Sequence, residues 1–312
     1  MPSPTFNPTQ DIPDLSGKVI LVTGGTAGLG ANAVIELAKH SPAHIYITGR
    51  NAKSANGVIK QVAEAGSKTP VSFITCDLAS LASVKRAADE FRSKESRLDI
   101  LMCNAGIMAV DPGLTADGYE VQFGTNHLGH ALLIQKLLPA LQSTATRSEG
   151  GNSDGDARII LLTSAGYKMH PRAGILFDTL RTTQKGLFGS WVRYGQSKLA
   201  NLLYARELAR RYPDITCVSV HPGVVNTGLV EGLSLARQSF VWATAWHIMV
   251  TPAEGIRNQL WAATSDKKGI VSGKFYEPVG VLSTGLDRAA RDDGLAKRLW
   301  EWTDEVLAEY YD

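Results

Sequence analysis

The sequence predicts one α/β domain, a doubly wound parallel sheet of about seven strands with helices on both faces. Short apolar runs alternate with longer amphipathic stretches along the chain, and this order gives a parallel sheet joined by right-handed crossovers. The runs are almost continuously apolar, as expected for strands that helices cover on both faces. A chain of 312 residues can bury roughly 75% of its unfolded surface, which is enough for a full core.

Six apolar runs form the predicted strands, and no internal repeat is visible. The runs are Lys18–Thr23, His44–Thr48, Val71–Cys76, Asp99–Cys103, Arg158–Ser164 and Ile215–His221. Helices are predicted near 29–40, 53–65, 80–95, 117–142, 193–212 and 287–309. The last helix places four apolar side chains at helical spacing, which predicts core packing for Leu295, Leu299, Trp302 and Val306.

Three segments lie outside this alternation. Residues 1–16 contain four prolines and predict an extended arm ahead of a single domain over 17–312. Residues 144–157 are rich in Ser, Gly and Asp and predict a mobile surface loop. Residues 228–250 include Trp242, Trp246 and other large apolar side chains that have no place in the sheet core, so we expect this segment to cover another surface.

Composition excludes several classes of protein. The 32 basic and 30 acidic residues leave a net charge of +2, which does not predict nucleic-acid binding. No run approaches the roughly 18 apolar residues of a membrane-spanning helix. The first seventeen residues lack Lys, Arg and any apolar run, so no signal peptide is expected. Three scattered cysteines predict buried thiols in a reducing compartment, so a cytoplasmic location is expected. The seven histidines show no ligand spacing and predict no metal site.

A glycine-rich turn, TGGTAGLG over Thr23–Gly30, follows the first strand directly and leads into a helix. Such a turn presents free backbone N–H groups, and the helix N-terminus adds a positive dipole. A glycine cluster alone also fits a plain turn, but its place between strand and helix favours a bound pyrophosphate. The predicted contacts are Gly24, Thr26, Gly28, Leu29 and Gly30.

The end of the second strand discriminates between two dinucleotides. NAD sites use an acidic residue about 20 positions further on for the ribose 2′-hydroxyl, yet no acidic residue occurs from Tyr46 to Asn56. Arg50 lies 20 positions after Gly30, and a guanidinium suits a 2′-phosphate. Arg50 also fits a solvated surface arginine. The sequence therefore predicts that the cofactor is NADP(H).

Tyr194 and Lys198 lie four positions apart at the start of a predicted helix, so both side chains share one face. A free tyrosine has a pKa of about 10, and a nearby ammonium would lower that pKa and favour the phenolate. Such a pair can exchange a proton with a substrate oxygen. By itself this spacing is far more typical of a solvated helix face.

Further motifs follow the strands in order: Asp77-Leu78, Asn104-Ala105-Gly106, Asn126 within FGTNHLGHALL, Ser164, and Pro222-Gly223 with Thr227. With the glycine turn and the Tyr194–Lys198 pair, they make the chain resemble the short-chain dehydrogenases/reductases from about Gly17 to Tyr276. The segments ITGR, LMCNAGIM, NHLGHALL and YGQSKLANLLYARELA resemble those of one branch of this family. That branch contains retinol dehydrogenases, WW-domain oxidoreductases and protochlorophyllide reductases. The resemblance implies a Rossmann-type fold.

The resemblance also implies a role for each matched residue. Tyr194 would be the general acid/base, Ser164 would hydrogen-bond the substrate oxygen, and Lys198 would bind the nicotinamide ribose and lower the tyrosine pKa. Asn126 would hold a water that links Lys198 to solvent. The implied cofactor contacts are Asp77 with Leu78 at the adenine, Asn104, Ala105 and Gly106 at the adjacent ribose, and Pro222, Gly223, Val225 and Thr227 towards the carboxamide.

The chain departs from the family pattern between Ser164 and Tyr194, which lie 30 residues apart where many members have about half that spacing. We interpret the extra residues as a wall of the active site; they include His170, Pro171, Phe177, Phe188 and Trp191. Thr163 stands where a second serine is common. Catalysis is assigned to Ser164 because of its place before Ala-Gly-Tyr.

The function implied is NADP(H)-dependent interconversion of a ketone or aldehyde with an alcohol. Residues 228–250 hold the position of the family's substrate lid, and their tryptophans indicate a bulky apolar substrate or else packing on the core or a partner. Reduction of an activated C=C or C=N bond and a non-catalytic NADP(H) sensor are the alternatives. Many relatives form homodimers through the helices near 117–142 and 193–212, and others are monomers.

Overall fold

The computed structural model describes residues 5–146, 155–186, 189–225 and 249–311. In this part of the chain an eight-stranded sheet has the order β10-β9-β6-β5-β4-β1-β2-β3. All neighbouring strands are parallel except the edge pair β9 and β10. The predicted fold class is confirmed, and the eighth strand is this antiparallel edge, which the hydrophobic pattern did not separate.

The predicted strands and the observed ones agree to within two residues. The strands of the sheet are β1 Val19–Thr23, β2 His44–Gly49, β3 Val71–Thr75, β4 Ile100–Cys103, β5 Ala157–Leu162, β6 Ile215–Val220, β9 Phe275–Glu277 and β10 Val281–Leu282. A separate parallel pair consists of β7 Val224–Val225 and β8 Met249–Val250.

The strand order reverses beside β1. Val22 pairs with Ile47 of β2 on one side and with Met102 of β4 on the other. Chain connections run outward from this point in both directions, which leaves a crevice at the carboxyl ends of β1 and β4. In doubly wound sheets a ligand binds in this crevice.

Helices cover both faces of the sheet. They are α1 Pro8–Asp11, α2 Gly28–Ala38, α3 Ala52–Glu64, α4 Leu81–Lys94, α5 Val121–Phe123, α6 Gly129–Ala145, α7 Gly189–Arg211, α8 Pro252–Gly255, α9 Arg257–Thr264, α10 Arg288–Arg291 and α11 Asp293–Leu307. One core packs the sheet against α4, α6, α7 and α11, and the other packs it against α2, α3 and α9. Alternate residues of β1 enter opposite cores, as Leu21 and Ile20 do.

The amino-terminal arm is not extended throughout, which corrects the sequence prediction. Asn7 caps the one-turn helix α1 by accepting from the Thr9 amide, and Pro8 occupies its first position, where a missing N–H costs nothing. Three apolar side chains of the arm enter the α2–α3 core: Phe6, Ile12 and Leu15. Their burial at 4–7% exposure fixes the arm to the domain.

The helix predicted over 117–142 is interrupted. Glu120 caps α5 by accepting from the Phe123 amide, and a π-helical turn over Gly124–Leu128 separates α5 from α6. Such π-helical turns are rare and often occur at functional sites. The turn contains Asn126, so the irregularity coincides with a residue singled out by the sequence.

Helix α11 packs across α7 on the side away from the sheet. The Trp300 ring stacks on Tyr204 at a centroid distance of 4.9 Å, and Thr303 Oγ1 lies 2.9 Å from His127 Nε2. The family resemblance leaves open a homodimer through the helices near 117–142 and 193–212, or a monomer. A partner at this face would have to pack against α11 or displace it.

Two predicted loops fall largely outside the described residues. Of the predicted mobile loop 144–157, Thr144 and Ala145 complete α6 and Ala157 begins β5, and residues 147–154 are not described. Of the predicted lid 228–250, only Met249 and Val250 are described, and they form β8. Trp242 and Trp246 lie outside the described residues.

Candidate active site

A cavity of about 450 Å³ opens at the carboxyl edge of the sheet, beside the strand-order reversal. Most of the predicted site residues line it: Gly24, Thr26, Gly28, Leu29, Arg50, Asp77, Leu78, Asn104, Ala105, Gly106, Tyr194, Lys198 and Pro222. These residues come from the segments that follow five strands, β1, β2, β3, β4 and β6, and from helix α7. The parallel sheet brings them together because its strands all end at the same edge.

Some predicted residues lie behind this lining. Gly30 and Asn126 support it from the second layer, and Ser164 lies beside Tyr194. Gly223 and Val225 lie at β7, next to the lining residue Pro222. Thr227 and Phe188 lie outside the described residues.

The glycine turn leaves the first turn of α2 open. Gly24 and Gly28 have φ values of +64° and +53°, in the left-handed region that favours glycine. A side-chain carbon at Gly30 would collide with the Gly24 carbonyl oxygen and lie 2.6 Å from Asn104 Nδ2. The N-cap of α2, Ala27, supplies no side-chain acceptor. The first N–H groups of this helix are therefore available to an anion.

Asn104 holds the turn from the neighbouring strand. Its Nδ2 donates to the Thr23 carbonyl at 2.9 Å, and its Oδ1 is buried without a hydrogen-bond partner in the described structure. A buried acceptor of this kind is costly unless a ligand satisfies it. The open helix N-terminus, the close-packed glycines and this acceptor fit the phosphates and ribose of a dinucleotide.

Arg50 lies at the end of β2, is exposed, and lines the cavity. Asn51 follows it as the N-cap of α3 and accepts from the Ser54 amide at 3.1 Å. Asp77 lines the same end of the cavity, where its Oδ1 accepts from the Ala79 amide at 3.0 Å. This end of the cavity therefore offers one guanidinium and one carboxylate that is already engaged with the backbone.

Tyr194, Ser164 and Lys198 meet at the other end of the cavity. Lys198 Nζ lies 5.7 Å from the centroid of the Tyr194 ring and donates to the Leu162 carbonyl at 3.0 Å. The Ser164 hydroxyl lies close enough to the Tyr194 phenol to lower its pKa and accepts from the Gly166 amide at 3.0 Å. Tyr194 and Lys198 are 6% and 5% exposed, so they do not form a solvated helix face.

Burial controls the protonation of this pair. Desolvation raises the pKa of Tyr194 to about 12, although the hydrogen bond with Ser164 opposes the rise. Desolvation also lowers the pKa of Lys198 to about 8. The spacing of the pair predicts that Lys198 lowers the pKa of Tyr194. In the protein without cofactor burial dominates instead, and the phenol is neutral at physiological pH.

Thr163 and Ser164 have different partners. Thr163 Oγ1 donates to the main-chain oxygen of Lys198 at 2.7 Å, which ties β5 to α7. The Ser164 hydroxyl lies beside Tyr194 instead, and a side-chain carbon at Gly166 would lie 3.3 Å from Ser164 Oγ and 3.2 Å from Tyr194 Cε1. This arrangement supports the choice of Ser164 over Thr163.

Asn126 is fully buried in the π-helical turn, and its amide binds two other segments. Its Oδ1 accepts from the Ile107 amide at 2.8 Å. Its Nδ2 donates to the Ile107 carbonyl and to Ser197 Oγ, both at 2.9 Å. Both N–H groups are thus engaged within the protein, and one lone pair of Oδ1 remains.

The predicted wall between Ser164 and Tyr194 divides into two parts. Trp191 packs edge-to-face on Tyr194 at 6.4 Å and contacts Ala109. Phe177 instead enters the core against Trp302 and lies away from the cavity. His170 is held by Asp287 at 3.1 Å. The prediction is therefore wrong for Phe177, because α11 supplies an apolar surface that the local sequence does not reveal.

Sequence reasoning missed part of the cavity lining. The missed residues are Ala27, Thr48, Gly49, Cys76, Ala79, Ile107, Val121, Thr125, Leu162 and Thr163. Leu162 has a direct role, because its carbonyl accepts from Lys198. Several of these residues end a strand, and the shared carboxyl edge of a parallel sheet is the signal that could have found them.

The described residues contain no cluster of three or more His, Cys, Asp or Glu side chains that could hold a metal ion. His127 and His130 are buried, and desolvation lowers their pKa values to about 3 and about 4. Among the helices of the described ranges, none has the length and apolarity needed to span a bilayer. The three cysteines are buried free thiols.

The strand-order reversal, the glycine turn and the open helix N-terminus define a nucleotide-binding α/β protein. A family model for short chain dehydrogenases matches residues 18–175. An oxidoreductase of Schizosaccharomyces pombe is 37% identical over 313 residues, covering 99% of this chain and 89% of that protein. Human retinol dehydrogenase 14 is 34% identical over 310 residues, covering 94% of this chain and 87% of that protein. The chain belongs to the short-chain dehydrogenase family of oxidoreductases.

Two solved structures resemble this fold. A protein from Mycobacterium paratuberculosis superposes with a TM-score of 0.74 and 29% identity, covering 97% of this chain and 98% of that one. The NADPH-bound carbonyl reductase from chicken fatty liver superposes with a TM-score of 0.62 and 26% identity, covering 86% of this chain and 99% of that one. The resemblance stated from sequence motifs is therefore confirmed at the level of family and fold.

Proposed function

We propose that this chain is an NADP(H)-dependent oxidoreductase that interconverts a ketone or aldehyde with an alcohol. The observation that carries the proposal is the meeting of the Tyr194 phenol, the Ser164 hydroxyl and the Lys198 ammonium at one end of the cavity. These three groups can bind an oxygen atom, donate a proton to it and stabilise the resulting charge.

The residues that would hold the dinucleotide lie along the same cavity. The first turn of α2 would bind the pyrophosphate and Arg50 the 2′-phosphate, while Asn104 and Asp77 would bind the adenosine side. Bound there, the nicotinamide nucleotide supplies or accepts a hydride at the substrate carbon. The preference for NADP(H) is supported by Arg50 and by the absence of acidic residues from Tyr46 to Asn56, and a structural relative was solved with NADPH bound.

Tyr194 is the proposed proton donor in carbonyl reduction. Its burial keeps the phenol neutral, so the proton is in place when the substrate oxygen gains negative charge. Once the proton has left, the phenolate is buried and needs a counter-charge, because an unpaired charge is costly in a dry site. Lys198, one helical turn away, supplies that charge.

Ser164 and Asn126 are assigned supporting roles. The Ser164 hydroxyl can donate to the substrate oxygen while its own oxygen accepts from the Gly166 amide, which fixes its direction. Asn126 holds Ile107 and Ser197 in place through its amide. The proposed water that links Lys198 to solvent has one Oδ1 lone pair of Asn126 to bind.

The proposed substrate is an apolar carbonyl compound or alcohol. Trp191, Met108 and Ala109 form an apolar cluster beside Tyr194, and such surfaces favour apolar ligands with one polar anchor. A relative named retinol dehydrogenase supports the same class. The proposed location is the cytoplasm, since three free cysteines suit a reducing compartment.

The test is to follow oxidation of NADPH and of NADH by the purified protein with carbonyl compounds that range from small aldehydes to polycyclic ketones. Tyr194→Phe serves as the matched variant, because it removes one hydroxyl and keeps the ring. We expect turnover with NADPH, its loss in the variant by at least about 10²-fold, and nearly unchanged NADPH affinity.

Three other results would each change the proposal. Turnover by Tyr194→Phe at the wild-type rate would remove the acid/base assignment. Products reduced at C=C or C=N would identify the alternative reaction, which product analysis separates from carbonyl reduction. Tight NADPH binding with no turnover on any compound would favour a sensor protein.

A further inference from the structure

His130 joins two parts of the site that are far apart in sequence, and the proposed mechanism gives it no role. It lies in the first turn of α6 and is 1% exposed. Its Nδ1 is 2.9 Å from the main-chain oxygen of Asn126. Its Nε2 is 2.9 Å from Thr23 Oγ1, across a separation of 107 residues.

The partners determine which nitrogen carries the proton. A carbonyl oxygen can only accept, so Nδ1 of His130 must donate to Asn126. Burial lowers the pKa of His130 to about 4, so the ring is neutral and Nε2 keeps its lone pair. The Thr23 hydroxyl also lies 3.4 Å from the Met102 carbonyl, but Nε2 is closer, at 2.9 Å, and can only accept. The hydroxyl therefore donates to Nε2, and this assigns one direction to both hydrogen bonds of His130.

On the cofactor side, Thr23 begins the glycine turn and fixes the loop after β4. Its Oγ1 accepts from the Ala105 amide at 3.0 Å, and its main-chain oxygen accepts from Asn104 Nδ2 at 2.9 Å. Both Asn104 and Ala105 line the cavity. The hydroxyl of Thr23 thus accepts from this loop and donates to His130.

On the catalytic side, the same chain of hydrogen bonds continues through Asn126. Its amide fixes Ile107 and donates to Ser197 Oγ at 2.9 Å. Ser197 Oγ in turn donates to the main-chain oxygen of Tyr194 at 2.7 Å. The network therefore runs from the cofactor loop to the first turns of α7.

We propose that His130 is a positioning residue, a neutral strut that sets the loop 104–107 against the π-helical turn and, through Asn126 and Ser197, against Tyr194. The inference rests on the proposed function only for its kinetic consequence. Its structural part is that the hydrogen bonds of His130 keep the loop 104–107 ordered in the protein without cofactor. The hydrogen bonds of His130 go to Thr23 and Asn126, neither of which lines the cavity, so it acts through other residues.

Variants of both ends of the strut separate its two hydrogen bonds. His130→Leu removes both, and His130→Asn keeps an amide donor near the Nδ1 position. Thr23→Val removes the hydroxyl at constant shape, and Thr23→Ser keeps it. His127→Leu is the matched control, because His127 is a neighbouring buried histidine whose Nε2 contacts Thr303 instead of the cofactor loop.

The first readout is amide hydrogen exchange over 104–108, measured by mass spectrometry without cofactor. We expect His130→Leu and Thr23→Val to exchange about tenfold faster there, since the loop loses the support of one or more hydrogen bonds. Thr23→Ser should recover most of the protection, whereas His130→Asn, which has no acceptor at the Nε2 position, should not. His127→Leu should leave exchange at 104–108 unchanged.

The second readout is steady-state kinetics per folded site, counted by NADPH binding. A misplaced catalytic group costs up to about 10² in rate, so we expect kcat to fall 10- to 100-fold in His130→Leu. The KM of the carbonyl compound should change less than about threefold, because His130 touches no substrate. A loss of kcat in Thr23→Val that Thr23→Ser restores is the sign of positioning rather than of fold stability.

The two proposals can fail separately. Absence of carbonyl turnover in the wild type would remove the proposed function. The hydrogen-exchange data would still test whether the hydrogen bonds of His130 order the loop 104–107. Unchanged exchange over 104–108 in His130→Leu would overturn the positioning role, and so would a loss of kcat that His127→Leu reproduces. If His130→Leu does not fold, the pair Thr23→Val and Thr23→Ser gives the same two readouts.

Discussion

The Lys198 ammonium donates a 3.0 Å hydrogen bond to the Leu162 carbonyl while it lies 5.7 Å from the centre of the Tyr194 ring. The charge of Lys198 is therefore anchored to the end of β5, and no carboxylate among the described residues forms an ion pair with it. Burial lowers the pKa of Lys198 to about 8. The folded protein thus buries the charge of Lys198 at a cost in stability. That charge lies where a buried Tyr194 phenolate would need a counter-charge.

The first prediction concerns this cost. Lys198→Met should abolish activity yet stabilise the protein without cofactor at pH 7, because the variant no longer buries a charge. The folded pKa lies below the unfolded value, so between about pH 8 and pH 10 the unfolded chain binds a proton that the folded chain has released. Relative to Lys198→Met, the stability of the wild type should therefore rise with pH in this window, by up to about 1.4 kcal/mol per pH unit.

Urea unfolding of the wild type and Lys198→Met at pH 7 and pH 9.5 measures this difference. The gap between the two proteins should narrow at the higher pH. A Lys198→Met protein that is much less stable than the wild type at pH 7 would show that the hydrogen bond to Leu162 outweighs the cost of burying the charge.

The second prediction tests the selection of cofactor. Arg50→Ala should weaken NADPH binding by about 10- to 100-fold, the equivalent of a charge-assisted hydrogen bond, and leave NADH binding almost unchanged. Lys53→Ala is the control, since Lys53 is a nearby exposed cation on α3 that does not line the cavity. Equal losses for both dinucleotides in Arg50→Ala would contradict the 2′-phosphate assignment.

The third prediction compares two glycines. Gly30→Ala places a carbon against the Gly24 carbonyl and 2.6 Å from Asn104 Nδ2, so it should distort the turn and reduce dinucleotide affinity by at least about tenfold. Gly57→Ala meets nothing within 4 Å in α3 and should stabilise the protein by about 0.5–1 kcal/mol. Calorimetric titration and thermal unfolding measure the two effects. Wild-type affinity in Gly30→Ala would show that the turn does not contact the dinucleotide.

The fourth prediction concerns α11. Trp300→Ala removes the ring stacked on Tyr204 at 4.9 Å and should lower the free energy of unfolding by about 3–5 kcal/mol. Glu301→Ala, an exposed neighbour, should change it by less than about 0.5 kcal/mol. Equal effects of the two variants would mean that the packing of α11 on α7 contributes little.

Light scattering on the same proteins addresses the predicted homodimer. A wild type that is monomeric fits the cover that α11 places over α7, and self-association of Trp300→Ala would show that this cover prevents pairing. A wild-type dimer whose cross-links map to α6 and α7 would confirm the homodimer predicted from sequence.

Local patterns in the sequence determined much of the fold and the site. Continuous apolar runs located six strands to within two residues, because a strand buried on both faces must be apolar along its length. The glycine turn after β1 could be recognised from the sequence, because the conformational freedom of glycine is a property of a single residue. Arg50, Asp77, Asn104 and Tyr194, which the sequence assigned to the cofactor and the catalytic groups, all line the cavity.

Only the tertiary structure decided which distant side chains pair. Glu120 and Arg193 form an ion pair of 3.3 Å with both side chains at most 2% exposed, and His127 meets Thr303 across 176 residues. Neither pairing leaves a periodic signal, because each depends on how separate elements pack. Burial likewise reversed the expected pKa shift of Tyr194.

The division has one physical reason. Secondary-structure propensity, hydrophobic periodicity and the backbone freedom of glycine each depend on only a few neighbouring residues. The sequence by itself therefore determined the strands, the glycine turn and the family of this protein. Desolvation and hydrogen-bond direction exist only after the chain has closed around a group. The tertiary structure therefore decided that the Tyr194 phenol is neutral, that Lys198 is buried at a cost in stability, and that His130 joins Thr23 to Asn126.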